Sequence, residues 1–403
     1  MLCGNKDRKS LRLLITMDLD LDFDQLFKSC LKSMEVVNLH PELPRTKLWY
    51  IRSLIQHSVY TLISAIIFCN VFVAAKSKDF SASCRNGIIC VIYCVVTTTH
   101  ISVIIYRKLI LSFIELIKND YKADLPYDEK LIVYKYAMIA RKIQSFWLYM
   151  TGTAGVLLPI KHIILEIYNT HKINKFELIE LYPLTYPALI EENKFHPIVF
   201  ICLYMLIIYY CAYTAITYTG MVPFVLTCIT HSCGQLEIAA KRIKELDINN
   251  AVEFEIKLKE IVKILQHVYS FLDEINVVFA FIYEVIMKAA TVGLPLCIWE
   301  FRSAFNTGEI NVEFVALCIA GWWLSSIPCY YSQILMEKGN DIAFLIYSCG
   351  WERTFNRSAR KSVMIILQRA QKPVALKSLF HNLGTEIYHQ AYTLFNLMNA
   401  AWT

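Results

Sequence analysis

Asp, Glu, Lys and Arg are missing from stretches far longer than a soluble core helix needs, and this spacing limits what the chain can become. Ser53–Ala75, Asn86–Tyr106, Ile143–Ile160 and Phe314–Met336 contain none of the four, and Phe195–Leu236 continues without one for 42 residues. Val277–Trp299 is interrupted only by Glu284 and Lys288. One helix crossing a hydrocarbon core takes about 20 mostly apolar residues, so each block is read as one span. Ile143–Ile160 is the third of them, with Gly152, Gly155 and Pro159 as packing or kink points. Phe195–Leu236 is too long for one span and has no polar turn for two. It is therefore read as one helix from about His196 to Gly220 that runs on past Pro223 out of the membrane. Composition agrees: 18% of the 403 residues are charged, against roughly 25% in soluble domains.

The end of the chain is of another kind. Ser358–Gln371 sets Arg360, Lys361 and Arg369 beside Val363, Ile365, Ile366 and Leu367, a basic amphipathic helix suited to a membrane's cytoplasmic face. Pro373 ends it, because proline lacks the helical donor and restricts the residue before it. A second helix is expected over about Val374–Trp402. It has no charged residue after Glu386, yet Thr385, Tyr388, His389, Gln390, Tyr392, Thr393, Asn396 and Asn399 interrupt it. A helix this polar at membrane depth faces protein or water rather than lipid, which makes it a candidate pore wall.

Basic residues set the orientation. The segments 1–52, 107–142, 237–276 and 337–377 hold 31 of the 40 Lys and Arg. Basic loops stay inside, so the amino terminus is expected in the cytosol and, after seven spans, the carboxyl terminus outside. No cleavable leader is expected: Leu11–Thr16 is short and broken by Arg12, with Asp18, Asp20, Asp22 and Asp24 following. The first span would then be its own insertion signal. The fold class expected is an all-α membrane protein of seven transmembrane helices with a cytosolic helical anchor. Its parts are a cytosolic segment (1–52), helices one to four (53–236), a cytosolic amphipathic helix (237–276), helices five and six (277–336), an anchor helix (337–373) and a pore-lining helix (374–403).

Several function classes drop out. G-protein-coupled receptors place the amino terminus outside, and the chain has neither Asp-Arg-Tyr after span three nor Asn-Pro-x-x-Tyr in span seven. The net charge of +6 is dispersed between apolar blocks, which is no nucleic-acid footprint. No catalytic motif or phosphate loop is present, so neither an enzyme nor a cofactor is expected. Cys90 and Cys94 stand four apart without a nearby His or carboxylate and are read as packing rather than as metal ligands. No inverted repeat points to a transporter. The sequon at Asn356 falls on the inner side and should carry no glycan.

Three constellations remain. Phe254, Leu258, Ile261, Leu265, Val268, Leu272 and Ile275 make a heptad seam that either packs within the chain or joins subunits. Glu284 and Lys288, four apart within span five, either neutralise each other or face an ion pathway. The outer halves of spans two, three, four and six offer a lining for a small apolar ligand. Its candidates are Ile89, Ile92 and Tyr93; Tyr149, Met150, Thr153 and Leu157; Phe200, Tyr204, Met205 and Ile208; and Phe314, Cys318 and Trp322.

Trp351, then Arg369-Ala-Gln-Lys-Pro373, then Ala391-Tyr-Thr-Leu-Phe-Asn-Leu-Met398 resemble the carboxyl-terminal signature of insect odorant receptors. The related gustatory receptors end in Thr-Tyr, five hydrophobic residues and Gln-Phe, whereas here Met398-Asn399 stands at that spacing. The family's co-receptor resembles the chain in topology but has a much longer second inner loop than 237–276, which points to a ligand-tuned subunit. Ala391 departs from the pattern, which has a hydroxyl residue there. The resemblance implies a heterotetramer with the co-receptor in the plasma membrane of olfactory neurons, opened by a small volatile to pass cations without strong selectivity. It implies a gate at Leu397, with Thr393 and Ala401 a turn to either side and Asn396 as a wetting residue. It also implies an anchor built around Trp351, Arg369, Gln371, Pro373 and the seam. A gustatory-type homotetramer of the same fold is the alternative.

Overall fold

The computed structural model describes residues 21–173, 180–247, 250–307, 312–353, 357–372, 374–380 and 383. Apart from one bridge at Lys377, the regular structure among them is helical. Two short helices, α1 (Phe23–Leu26) and α2 (Lys28–Val36), precede the long ones. These are α3 (Lys47–Lys76), α4 (Phe80–Ile105), α5 (Arg107–Lys122) and α6 (Tyr127–Ile173). After the short α7 (Ala188–Glu191) come α8 (Pro197–Lys244), α9 (Ala251–Thr307), α10 (Val312–Ser348) and α11 (Arg357–Ala370). Among the described residues, five helices are long and apolar enough to cross a membrane, within α3, α4, α8, α9 and α10.

Local chemistry sets several boundaries. Thr46 accepts a hydrogen bond from the Trp49 amide at 3.2 Å and starts α3, and Asp79 does the same for Ala82 at 2.9 Å and starts α4. Pro197 occupies the first turn of α8, where no amide donor is needed. α8 runs for 48 residues and α9 for 57, or about 70 and 85 Å at 1.5 Å per residue. Both overrun a hydrocarbon core of about 30 Å. The overrun carries the charged residues, and there the helices form a second bundle.

α8 is the axis, packed against α2, α6, α9 and α10. Its contact with α2 needs Gly220, since a Cβ there would lie 2.8 Å from the Met34 side chain and 3.1 Å from the Met34 backbone nitrogen. Phe23, Phe27, Cys30 and Met34 are buried by this docking, so the amino-terminal segment is part of the core. The heptad seam is buried within the chain: Phe254, Leu258, Ile261, Leu265, Val268, Leu272 and Ile275 are all at most 4% exposed. Its helix continues from the seam through the apolar block Val277–Trp299.

Polar clamps join the helices at the basic end. Glu237 of α8 receives the Tyr136 hydroxyl at 2.6 Å, Lys135 at 2.9 Å and Lys338 at 2.7 Å, tying α6 and α10 to the axis. Arg242 holds Glu129 in a two-pronged pair at 2.8 and 2.7 Å and also reaches Glu260 of α9 at 3.3 Å. Two-pronged guanidinium–carboxylate pairs fix orientation as well as distance. Asp120 of α5 bonds His231 at 2.9 Å and Gln235 at 3.2 Å.

One sequence expectation needs correction. Residues 374–380, expected to open the last helix, are not helical, with a single bridge at Lys377 and bends at Leu379 and Phe380. Their backbone is held by side chains instead of a helical ladder. Asn276 donates to the Ala375 carbonyl at 3.2 Å and accepts from the Lys377 amide at 2.9 Å, while Ser332 accepts from the Leu376 amide at 3.1 Å. Gly339 leaves room for the segment, since a Cβ there would meet the Val374 side chain at 3.1 Å.

Candidate functional site

At the bundle end away from the basic clamps, residues 180–187, ahead of α7, fold inward. Asn70 of α3 captures them by donating to the Thr185 carbonyl at 2.9 Å and accepting from the Thr185 amide at 2.8 Å. The Tyr182 hydroxyl donates to Asn86 of α4 at 3.0 Å, and Leu181 and Leu184 are buried. A peptide unit matched this way gives the loop its hydrogen bonds inside the bundle, where water would otherwise be required. The loop roofs a partly open cleft of about 310 Å³ lined by Glu180, Leu181, Tyr182, Tyr186, Lys194, Phe200, Leu203, Tyr204 and Ile207.

The rim carries a cation with two anions. Lys194 reaches Glu180 at 2.8 Å and Glu191 at 2.6 Å, and Glu191 also accepts from the Tyr186 amide at 2.9 Å. The hydrogen bond from Lys194, followed by that amide, holds the Glu191 carboxyl below its usual value of 4.5. The bonds to Glu180 and Glu191 hold the Lys194 ammonium above its usual 10.5.

The helices continuing inward from the cleft pack a polar aromatic stack of which the sequence reading singled out Tyr93 alone. Tyr60 lies parallel to Tyr210, with centroids 4.5 Å apart, and near Tyr93 at 5.6 Å. Tyr213 stacks on His100 at 5.1 Å, and its hydroxyl lies 3.5 Å from His57 and 3.4 Å from His100. Tyr60 meets Thr214 at 3.1 Å, and His100 meets Thr217 at 3.2 Å. Ring faces and hydroxyls together let polar groups sit between α3, α4 and α8 with partners. The signal in the sequence is Tyr210, Tyr213 and Thr217, a three- and four-residue spacing that aligns polar groups along one face of a charge-free helix.

The ligand candidates read from the sequence divide in three. Phe200 and Tyr204 line the cleft. Ile92, Phe314 and Cys318 meet in a separate small cluster with Ile88, Leu296 and Cys297, while Ile89, Tyr93 and Ile208 are half-buried against the main core. Met150 is half-buried, and Tyr149, Thr153, Met205 and Trp322 are exposed. The side chain of Leu157 lies outside the described residues. The cleft wall thus comes from α8 and the inward loop, and the loop's contribution has no periodic signature in the sequence.

Thr393, Asn396, Leu397 and Ala401, the gate candidates, also lie outside the described residues, as do Pro373 and the sequon at Asn356. Of the anchor candidates, Leu258, Ile261, Leu265, Val268 and Leu272 are buried, and Trp351 is half-buried in a 3-10 turn over Trp351–Arg353. The Arg369 guanidinium sits 4.2 Å above the Tyr269 ring and 3.7 Å from Asp273, joining α11 to α9. Gln371 is exposed. Lys288 lies 3.8 Å from Glu284, a loose pair in which the lysine side chain is 65% exposed. No cluster of metal ligands occurs among the described residues.

Comparison with known proteins places this architecture. The family model described as 7tm Odorant receptor matches residues 79–390. The fold is similar to that of the insect olfactory receptor OR5 from Machilis hrabei, with a TM-score of 0.66 and 12% identity over 97% of this chain and 99% of that one. It is similar also to the structure of OR5 in complex with eugenol, with a TM-score of 0.67 and 12% identity over 93% of this chain and 98% of that one. No match was found among curated proteins. With the family model spanning well over half of its length, the chain belongs to the 7tm odorant receptor family.

Proposed function

We propose that the chain is the odorant-binding subunit of a cation channel, working as a heterotetramer with a co-receptor in the plasma membrane of olfactory sensory neurons. The observation that carries ligand binding is the tyrosine-lined cleft under the inward loop, which joins an apolar wall from α8 to a few placed polar groups. A receptor of the same fold has been solved in complex with eugenol, which supports a small organic ligand here. Candidate contacts from α4, α6 and α10 complete the pocket when the volatile is bound.

The charge distribution supports a cytosolic amino terminus and seven spans. The last helix lines the pore, with Leu397 as the gate, Thr393 and Ala401 on the same face and Asn396 wetting it. No acidic residue follows Glu386, which fits a pore with weak selectivity among cations. A volatile opens the gate only to the extent that it binds the open state more tightly than the closed one.

Expression in oocytes tests this reading. An odour-evoked cation current that requires both this chain and the co-receptor is expected, and Leu397→Ala should raise basal current or alter permeability. Current from this chain alone would refute the heteromeric assembly. G-protein signalling without current would refute the channel.

A further inference from the structure

A second cleft lies deeper, between α4, α8, α9 and α10, with about 420 Å³ of partly open space. Its wall includes Tyr218 and Met221 from α8, Phe279 and Tyr283 from α9, and Leu324 and Pro328 from α10. Tyr218 follows Tyr204 by 14 residues on one helix, so the two clefts are about 20 Å apart along the axis.

Three features distinguish this cleft from a packing defect. Tyr283 is 4% exposed, yet neither its hydroxyl nor that of Tyr218 has a hydrogen-bond partner among the described residues. A phenol between packed helices usually finds a partner for its hydroxyl. The remaining lining is mostly aliphatic and aromatic, and the one other hydroxyl, of Thr99, is already bonded to the Val95 carbonyl at 2.8 Å. Finally, the cleft sits where two helices are interrupted. Pro328 cannot donate to the Leu324 carbonyl, and Pro223, between Val222 and Val225, breaks the ladder of α8.

We propose that this deep cleft is a second binding site, for a small apolar molecule carrying one carbonyl or hydroxyl oxygen held by Tyr218 and Tyr283. The apolar wall selects the body of the ligand and the two phenols fix its oxygen. Occupancy bridges α8 and α10 at their proline breaks and so biases how these helices bend.

Photolabelling with benzophenone tests the site on the purified full-length chain in lipid nanodiscs. Benzophenone is an apolar ketone that inserts into neighbouring C–H bonds under ultraviolet light. Because it reports binding without current, it is independent of the channel reading. Labelled carbons are expected within 218–225 and 279–286, and labelling there should fall about tenfold in Tyr218→Phe/Tyr283→Phe, which removes two hydrogen bonds and keeps both rings. Phe200→Ala, in the other cleft, should leave it unchanged. Label confined to 200–207 would overturn the proposal, as would deep labelling of equal yield in the double variant. Thermal unfolding checks that the variants fold, and the wild-type map decides the location without them.

Discussion

At the scale of single residues, Lys194 carries the clearest prediction. It bridges Glu180 and Glu191 across the loop that roofs the cleft. Glu191 has a folded pKa below its ordinary 4.5, so its contribution is present above that value and is lost as pH falls through the lowered one. Lys194 has a folded pKa above its ordinary 10.5, so its contribution is complete below that value and is lost as pH rises through the raised one. The latch is therefore closed across the neutral range and loosens only below about pH 4.5, or far into the alkaline range. Amide hydrogen exchange of 180–191 should show flat protection from pH 5 to 8 once corrected for intrinsic rates. Lys194→Met should lower that protection by a few-fold throughout the range, while the Thr185 amide stays held by Asn70. Strong variation with pH near neutrality would mean that another group holds the loop. Phe200 and Tyr204 were legible as ligand candidates because aromatic residues at helical spacing mark one face. The loop residues were not, since pairing between Glu180 and Lys194 leaves no period.

At the scale of elements, periodicity served well wherever a helix buries one face in its own chain. The seam of α9 was readable because seven apolar positions alternate at four and three residues, and each is buried. It failed at 374–380, where Val374, Ala375 and Leu376 read as the start of a helix. There the backbone is satisfied by Asn276 and Ser332, residues distant in sequence whose carboxamide and hydroxyl advertise nothing locally. These bonds join α9 and α10 to the segment 374–377. If the residues after 383 line the pore as proposed, movement of α9 and α10 reaches them through this clamp. Asn276→Ala leaves one carbonyl and one amide without their partner, at a cost of about 1–2 kcal/mol. In the proposed heteromeric channel, the variant should reach the surface normally and give a smaller maximal odour-evoked current. An unchanged concentration–response curve would show that coupling runs elsewhere. Asn276→Asp, which keeps only the acceptor for the Lys377 amide, should fall between the two.

At the scale of the whole molecule, two bundles share their long helices. One is apolar on its outside, as Leu54, Phe68, Phe72 and Ile198 show, each at least 55% exposed. The other is clamped by Glu237, Arg242 and Asp120 with their partners. This division was legible because charge and hydropathy change together along α8 and α9. The amino-terminal segment was not, since burying Phe23, Phe27 and Met34 depends on the space left by Gly220. Orientation follows if the clamped bundle is cytosolic, and it leads to a prediction independent of ligand. Connections at the loop end should meet the glycosylation machinery, and those at the clamped end should not. A sequon engineered within 308–311, between α9 and α10, should acquire a glycan. One engineered within 247–250, between α8 and α9, should not, and neither should the natural site at Asn356. An electrophoretic shift reversed by an endoglycosidase reads each outcome. The opposite pattern would invert the whole chain, because α8 and α9 each run through both bundles and allow no local exception.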